Sequence, residues 1–158
     1  MRTITELALV LCLASAGAVA TWKIAGPPDR SVACDPAQIS ADEVCLATVK
    51  AEWGEVFWVD ARSEEDWKRD GLPGSIHITT MGKVPFDEQI AKNMDALGTA
   101  ISKSQRVVVY CNGVNCTLSK EVARQLRDFG LGLEVKALHG GYDALKAAGL
   151  ITGSTPAS

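Results

Sequence analysis

The sequence predicts an α/β protein with a central, mostly parallel sheet and helices on both faces. Short runs of β-branched and aromatic residues alternate with longer segments of helical period, as in folds built from strand–helix–strand units. One run, Val107–Tyr110, is apolar throughout, which is typical of a parallel strand buried on both faces. A chain of 158 residues is long enough for one such core and short for two domains.

The composition is that of a folded protein with little net charge. Hydrophobic residues make up 47% of the chain and charged residues 22%, which excludes a disordered protein. The formal net charge is −3, so nothing suggests nucleic acid as a partner. The five cysteines include no C-x-x-C motif, and the two histidines lie far from paired cysteines. No metal site is therefore expected.

Residues 1–20 predict an export signal or a membrane anchor. Arg2 gives a positive start, and an apolar run extends from Leu7 to Ala20. About fourteen apolar residues suit a signal peptide, whereas a membrane span needs about 20. Ala18-Val19-Ala20 fits a cleavage site, but cleavage and retention both stay open. Either outcome predicts an extracytoplasmic location in the cell envelope, periplasmic or membrane-anchored, with the membrane as a partner if the segment is retained.

Three further segments follow from composition. Residues 21–36, which include Gly26-Pro27-Pro28, are predicted to be a linker. Residues 37–150 carry the periodic pattern and are the predicted folded domain. Residues 151–158 form a polar tail without predicted structure.

Cys34 and Cys45 stand close together at the start of this domain. Between them, Ser40 followed by Glu43 predicts the start of a helix, because the pair matches a capping box. In an oxidising compartment the two thiols can form a structural disulfide. Alternatively, Cys45 is a small buried side chain and Cys34 a surface thiol. The sequence leaves this choice open because it does not give the Cα separation.

The other elements follow in order. Residues 56–59 predict a buried strand, and Ser63 with Asp66 predicts the start of a short helix that carries Trp67. The remaining predicted elements are a short strand at 75–78, a helix at 85–97 with Phe86, Ile90, Met94 and Leu97 on one face, a helix at 118–129 that ends at Gly130, a strand at 134–138 and a short helix at 142–148.

Cys111 directly follows the central strand and is the predicted nucleophile. Open α/β sheets bind ligands at the carboxyl ends of their strands, where loops lead into helices. Loop N–H groups and a helix N-terminus favour an anion, and a thiolate is an anion. Such a site can activate a cysteine without a general base.

Several motifs together resemble the rhodanese (sulfurtransferase) family over about residues 39–150. They are Asp60-Ala61-Arg62, Leu72-Pro73-Gly74-Ser75, Val108-Val109-Tyr110-Cys111 and Leu138-His139-Gly140-Gly141. The resemblance implies that Cys111 takes sulfane sulfur from a small donor such as thiosulfate, holds it as a persulfide and passes it to a thiol acceptor, either a small molecule or a protein. It implies no cofactor. Asp60 and Arg62 are expected to support the floor of the site.

By the same resemblance, backbone amides of the loop cradle the persulfide or the donor anion. The residues that provide them are Asn112, Gly113, Val114, Asn115, Cys116 and Thr117. No charged residue occurs from Asn112 to Ser119, so a dianionic donor would be held by backbone dipoles alone.

Three rival interpretations concern this loop. A phosphatase of the Cys-x5-Arg type is set aside, because Thr117 occupies the position of the arginine that grips the phosphoryl group. A thiol–disulfide redox site stays open, with Cys116 as the resolving thiol for Cys111. A catalytically idle binding module also stays open, although it would have no need of a thiol at this position.

Overall fold

The fold is built on a parallel sheet, as the sequence predicts. The computed structural model describes residues 32–114 and 116–151. Within them the strands are β1 (Glu43–Val44), β2 (Phe57–Asp60), β3 (Ile76–His77), β4 (Val107–Tyr110) and β5 (Val135–Leu138). They form one sheet in the order β1-β5-β4-β2-β3, and every strand pairing is parallel.

Strand β4 lies at the centre and is buried on both faces. Val107 and Val109 belong to one apolar cluster, and Val108 and Tyr110 belong to another. All four side chains are inaccessible to solvent, which confirms the prediction from the uninterrupted apolar run.

Helices cover both faces of the sheet. Their bounds are α1 (Leu46–Thr48), which continues into a π-helical turn at Val49–Trp53, α2 (Glu64–Asp70), α3 (Phe86–Lys92), α4 (Met94–Ser102), α5 (Leu118–Asp128) and α6 (Gly141–Ala147). Residues of α3, α4 and α5 pack in the cluster that contains Val107, whereas Val49 and Leu145 pack in the cluster that contains Val108. The predicted cap of α2 is confirmed, because the Asp66 N–H donates to Ser63 Oγ at 3.2 Å.

The predicted helix start at Ser40 is wrong. The Ser40 N–H does donate to Glu43 Oε2 at 3.3 Å, as in a capping box, but the chain here forms a turn. Glu43 then enters strand β1, where it pairs with Ala137 of β5. Pairing with the sheet edge overrides the local helix signal, and the first helix begins only at Leu46.

The single helix predicted at 85–97 is also wrong, since two helices occur there. Helix α3 ends at Lys92 and α4 begins at Met94. Asn93 between them has a non-helical backbone, and its side-chain amide donates to Gln89 O at 2.9 Å. The break turns Met94 outwards, so its side chain is 42% exposed, whereas Ile90 and Leu97 remain buried.

The predicted export segment, residues 1–20, lies outside the described residues. Among the helices that the structure describes, none has the length and apolarity needed to cross a bilayer.

Candidate active site

Cys111 lies at the carboxyl end of central strand β4 and is held there by backbone contacts. Its side chain is only 1% exposed. The Tyr142 N–H donates to the Cys111 carbonyl oxygen at 2.6 Å. Gly141 packs so closely that a Cβ on it would overlap the Cys111 carbonyl, and its φ of +49° suits glycine. The start of α6 therefore fixes the backbone of Cys111.

The loop after Cys111 offers hydrogen-bond donors. Among the described residues, no protein oxygen accepts from the N–H groups of Asn112, Gly113 and Val114. The Cys116 N–H, in contrast, donates to Gly113 O at 3.1 Å and closes a turn. Asn115, the other residue of the predicted cradle, lies outside the described residues.

Helix α5 begins directly after this loop and points its N-terminus towards it. Its N-cap, Thr117, makes no side-chain capping bond, so the first amides of the helix are not occupied by a cap. Ser119, buried in the first turn, places its Oγ 3.3 Å from Cys111 Sγ. The helix dipole, the loop amides and this hydroxyl can together stabilise negative charge on the sulfur.

The structure also places the side chain of Cys116 next to that of Cys111. The two sulfur atoms lie at disulfide-bonding distance, with the Cα atoms 6.3 Å apart. This Cα separation is within the range that disulfides span. The arrangement places a second thiol where it can react with a group carried on Cys111.

Asp60, the last residue of β2, and Arg62 form a buried ion pair at the carboxyl end of this strand. Their exposed fractions are 0% and 2%, and Arg62 Nη2 donates to Asp60 Oδ2 at 2.9 Å. Arg62 Nη1 also donates to Asp70 Oδ1 at 3.0 Å. The guanidinium lies over the ring of Tyr142, 4.2 Å from its centroid. Arg62 thus supports the residue that hydrogen-bonds Cys111.

The electrostatics of this cluster favour its charged forms. Burial disfavours a charged guanidinium, but hydrogen bonds and charge from Asp60 and Asp70 outweigh it and raise the pKa of Arg62. Burial likewise opposes ionisation of Asp70, yet its hydrogen bonds with Arg62 and Tyr142 lower its pKa. Neither charge is available to a substrate, because each is already neutralised.

A second charged cluster lies at the ends of β1 and β5. Lys120 Nζ lies 3.1 Å from Glu43 Oε2, and His139 Nδ1 lies 3.3 Å from Glu43 Oε1. Burial raises the pKa of Glu43, but hydrogen bonds from Lys120, the Ser40 N–H and His139 reverse the effect and lower it. Within the described residues, no group of three or more His, Cys, Asp or Glu side chains is arranged to hold a metal ion.

The other cysteine pair lies at the start of the domain. The sulfur atoms of Cys34 and Cys45 are at disulfide-bonding distance, and their Cα atoms are 5.7 Å apart. Cys45 is 2% exposed. A bond here would tie the segment before β1 to the residue that precedes α1.

Sequence reasoning missed four residues of the site: Ser119, Gly141, Tyr142 and Asp143. Asp143 Oδ2 lies 3.1 Å from the point where a Cβ on Gly113 would stand. Asp143 N–H also donates to Asn112 O at 3.4 Å. The Gly140-Gly141 pair marked a tight turn, but only the long-range pairing of β5 with β4 brings this turn to Cys111.

The chain is similar to known proteins over this same region. The model of the rhodanese-like domain matches residues 46–148. The HTH-type transcriptional regulator Rv0324 of Mycobacterium tuberculosis is 33% identical over 101 residues, which cover 64% of this chain and 39% of the regulator. A tRNA sulfurtransferase of Desulfurococcus amylolyticus is 32% identical over 94 residues, which cover 60% of this chain and 16% of that protein. The chain thus spans well under half the length of these two relatives.

A solved structure shares the fold. The BH2092 protein of Bacillus halodurans superimposes with a TM-score of 0.50 and 25% identity, covering 71% of this chain and 77% of that chain. The family match spans most of the sheet and every motif on which the resemblance was based, from Asp60-Ala61-Arg62 to Gly140-Gly141. The chain belongs to the rhodanese-like domain family.

Proposed function

We propose that this protein transfers sulfane sulfur through a persulfide on Cys111. The observation that carries the proposal is the position of Cys111 at the end of the central strand. Beside it are loop amides that have no acceptor among the described residues, and the N-terminus of α5, where Thr117 makes no side-chain capping bond. Membership of the rhodanese-like family and similarity to part of a tRNA sulfurtransferase support the same chemistry.

The reaction consists of two sulfur transfers and requires no cofactor. In the first, the Cys111 thiolate attacks the sulfane sulfur of a donor R–S–SH, the donor S–S bond breaks, and R–S⁻ leaves. In the second, an acceptor thiolate attacks the outer sulfur of Cys111–S–SH and releases the Cys111 thiolate. Electrons balance within each exchange, so the partners are a small sulfur donor and a thiol acceptor, either a small molecule or a protein.

Groups of this chain can stabilise the negative charge that develops on sulfur during the two transfers. Loop amides of Asn112, Gly113 and Val114 point at no protein acceptor among the described residues, so they can receive the outer sulfur of the persulfide. Ser119 can donate to Sγ of Cys111 when that atom carries negative charge. Asp60 and Arg62 act indirectly, by supporting Tyr142.

Intact-mass spectrometry tests the proposal. The domain is first reduced and freed of reductant, then treated with an organic persulfide or thiosulfate. A mass gain of about 32 Da that is absent in Cys111→Ser and reversed by an acceptor thiol is expected. A mass gain that persists in Cys111→Ser would overturn the assignment. If no donor adds sulfur to the reduced protein, the idle binding module becomes the better account.

A thiol–disulfide site is the second candidate, and the Cys111–Cys116 pair is the observation that favours it. The Cys116 thiolate would attack Sγ of a Cys111 persulfide, forming the disulfide and expelling HS⁻. The same thiol would resolve a mixed disulfide on Cys111. Each cycle consumes two electrons, so a dithiol reductant must regenerate the pair.

Sulfide release separates the two candidates. If Cys116 resolves the persulfide, the loaded protein without an acceptor releases one sulfide per chain, and Cys116→Ser retains its sulfur. If the loaded wild-type protein is stable over the same time, Cys116 has no resolving role.

Export to the cell envelope is a separate proposal, which is based on the apolar run of residues 1–20. Fractionation of cells that express the full chain, with N-terminal sequencing of the product, tests it. A mature chain that begins at Thr21 indicates a cleaved signal, and a membrane-bound chain that keeps Met1 indicates an anchor. Full-length protein in the cytoplasmic fraction would contradict both.

A further inference from the structure

The catalytic loop has no cationic side chain to balance a doubly charged donor. The sequence from Asn112 to Ser119 contains no charged residue. Basic side chains do occur on the neighbouring elements, and those nearest to the loop, after β2 and on α5, have carboxylate partners. Arg62 lies buried between Asp60 and Asp70, and Lys120 is paired with Glu43. Lys146, exposed one turn after Asp143 on α6, forms no ion pair within the described residues.

A groove beside Thr117, at the start of α5, is lined by Arg124 and Arg127. The positive charges of these two side chains are also neutralised by carboxylates. Arg124 lies 2.6 Å from Glu121 Oε1 and 2.9 Å from Asp128 Oδ2. Arg127 lies 2.9 Å from Asp42 Oδ1. These pairs leave little net positive potential on this side of the loop, because each cation is matched by a nearby anion.

Asp143, in contrast, brings an unmatched negative charge to the loop. Its Oδ2 lies 3.1 Å from the point where a Cβ on Gly113 would stand, and its N–H donates to the Asn112 carbonyl oxygen. Within residues 32–114 and 116–151, no basic side chain forms an ion pair with it. Its carboxylate is exposed, as are Asn112 and Val114, so a donor that approaches the loop meets it in solvent.

We propose that Asp143 determines donor specificity, so that the site takes sulfur from organic persulfides with a neutral or cationic carrier and disfavours thiosulfate. The loop amides can stabilise the single negative charge of a persulfide sulfur. Thiosulfate carries a second negative charge, which the Asp143 carboxylate repels. The transfer itself is unchanged: Cys111 thiolate attacks R–S–SH, and R–S⁻ leaves. This inference depends on the sulfur transfer proposed above.

Two persulfides that differ only in their carrier test the charge effect. Cysteamine persulfide carries an ammonium group, and 3-mercaptopropionate persulfide carries a carboxylate of similar size. Each loading rate of the reduced full chain is divided by the rate at which the same donor reacts with free glutathione, which removes intrinsic reactivity. At low ionic strength the cationic donor should be favoured by roughly three- to tenfold, and the preference should shrink in high salt.

The Asp143→Asn variant assigns this preference to one residue. It should reduce the preference for the cationic donor and accelerate loading from thiosulfate by about threefold or more. Glu55→Gln is the matched control, because Glu55 is also exposed and precedes β2, at the amino ends of the parallel strands and thus opposite to the end that carries Cys111. It makes the same change in net charge and should leave all three rates unaltered.

The outcomes are distinct. If the wild-type protein shows no preference between the carriers, or Asp143→Asn and Glu55→Gln shift the rates equally, Asp143 does not select the donor. If Asp143→Asn, unlike Glu55→Gln, both reduces the preference for the cationic donor and accelerates loading from thiosulfate, the inference stands. If neither persulfide nor thiosulfate loads sulfur on Cys111, sulfur transfer itself fails, and this is a different result.

Discussion

The N–H of Tyr142 donates a 2.6 Å hydrogen bond to the carbonyl oxygen of Cys111. This bond joins the end of β4 to the first turn of α6, which the pairing of β5 with β4 brings together. Because Gly141 lies against the same carbonyl, the position of the nucleophile depends on the turn after β5. The site is therefore built from two strand ends rather than from one loop.

Gly141→Ala should displace Cys111. The added Cβ would overlap the Cys111 carbonyl, and the backbone at φ +49° also disfavours a side chain. We expect a loss of more than about 2 kcal/mol of unfolding free energy, together with loss of persulfide formation. Urea unfolding and intact-mass measurements check both effects.

Gly149→Ala is the control for this substitution. Gly149 has a φ of +69°, but a Cβ there meets open space. It should cost only the backbone strain, about 1–2 kcal/mol, and should load sulfur normally. Equal loading by both variants would show that the contact with Gly141 does not position the nucleophile.

Arg62→Ala should be strongly destabilising. The substitution leaves Asp60 fully buried without its partner, and an uncompensated buried charge costs about 3–5 kcal/mol. Arg69→Ala removes the ion pairs with Asp66 and Asp70 of an arginine that is 51% exposed, and it should cost much less stability. Denaturant unfolding compares the two. Similar losses would mean that the buried pair contributes no more than a surface pair.

Low pH should reduce the free energy of unfolding, because Asp70 and Glu43 become protonated. Both carboxyls have a pKa lowered in the folded state, so they bind protons less readily than in the unfolded chain. Their stabilisation is complete above the unfolded pKa of about 4 and is lost as the pH falls through the lower folded value. The free energy of unfolding should therefore fall as the pH decreases below about 4.

Asp70→Asn isolates one of these contributions. The stability difference between the wild-type protein and this variant should be largest near neutral pH and should decrease in acid, measured by urea unfolding across the range. Asp95→Asn, a change at an exposed position on α4, controls for the lost charge. A difference for Asp70→Asn that does not change with pH would contradict the role of its ionised form.

The sequence pattern predicts the sheet and the position of the nucleophile, because both depend on residues that are neighbours in the sequence. The apolar run of β4 and the helical period of α5 can be read directly, and Cys111 lies between them. The break at Asn93 cannot be predicted in this way. Asn93 bonds the Gln89 carbonyl oxygen with its side-chain amide. The buried Gln89 side chain forms hydrogen bonds with Thr79 and Val84, which lie outside both helices.

The residues around Cys111 escape prediction for a related reason. Asp143 reaches Gly113 only because β5 pairs with β4, and Glu43 meets His139 only because β1 pairs with β5. Ser119 is closer in sequence, but the loop between it and Cys111 has no periodicity that places its hydroxyl. Contacts between distant segments are set by the assembled sheet, and a single sequence does not encode them in a readable pattern.

The state of the Cys111–Cys116 pair should control access to the nucleophile. When its sulfur is bonded to Cys116, Cys111 has no free thiol, so it can neither be alkylated nor accept sulfur. Protein isolated in air should therefore resist iodoacetamide at Cys111. Reduction with a phosphine should make Cys111 reactive and should be required for sulfur loading. Peptide mapping after alkylation measures this at each cysteine.

Cys116→Ser provides the decisive comparison, because it removes the partner and keeps a side chain of similar size. Its Cys111 should be alkylated and loaded with sulfur without prior reduction, whereas Cys34 and Cys45 should behave as in the wild-type protein. If air-isolated wild-type protein and Cys116→Ser react equally at Cys111, the pair does not form in solution. The thiol would then be permanently available, and sulfur transfer would proceed without a reducing partner.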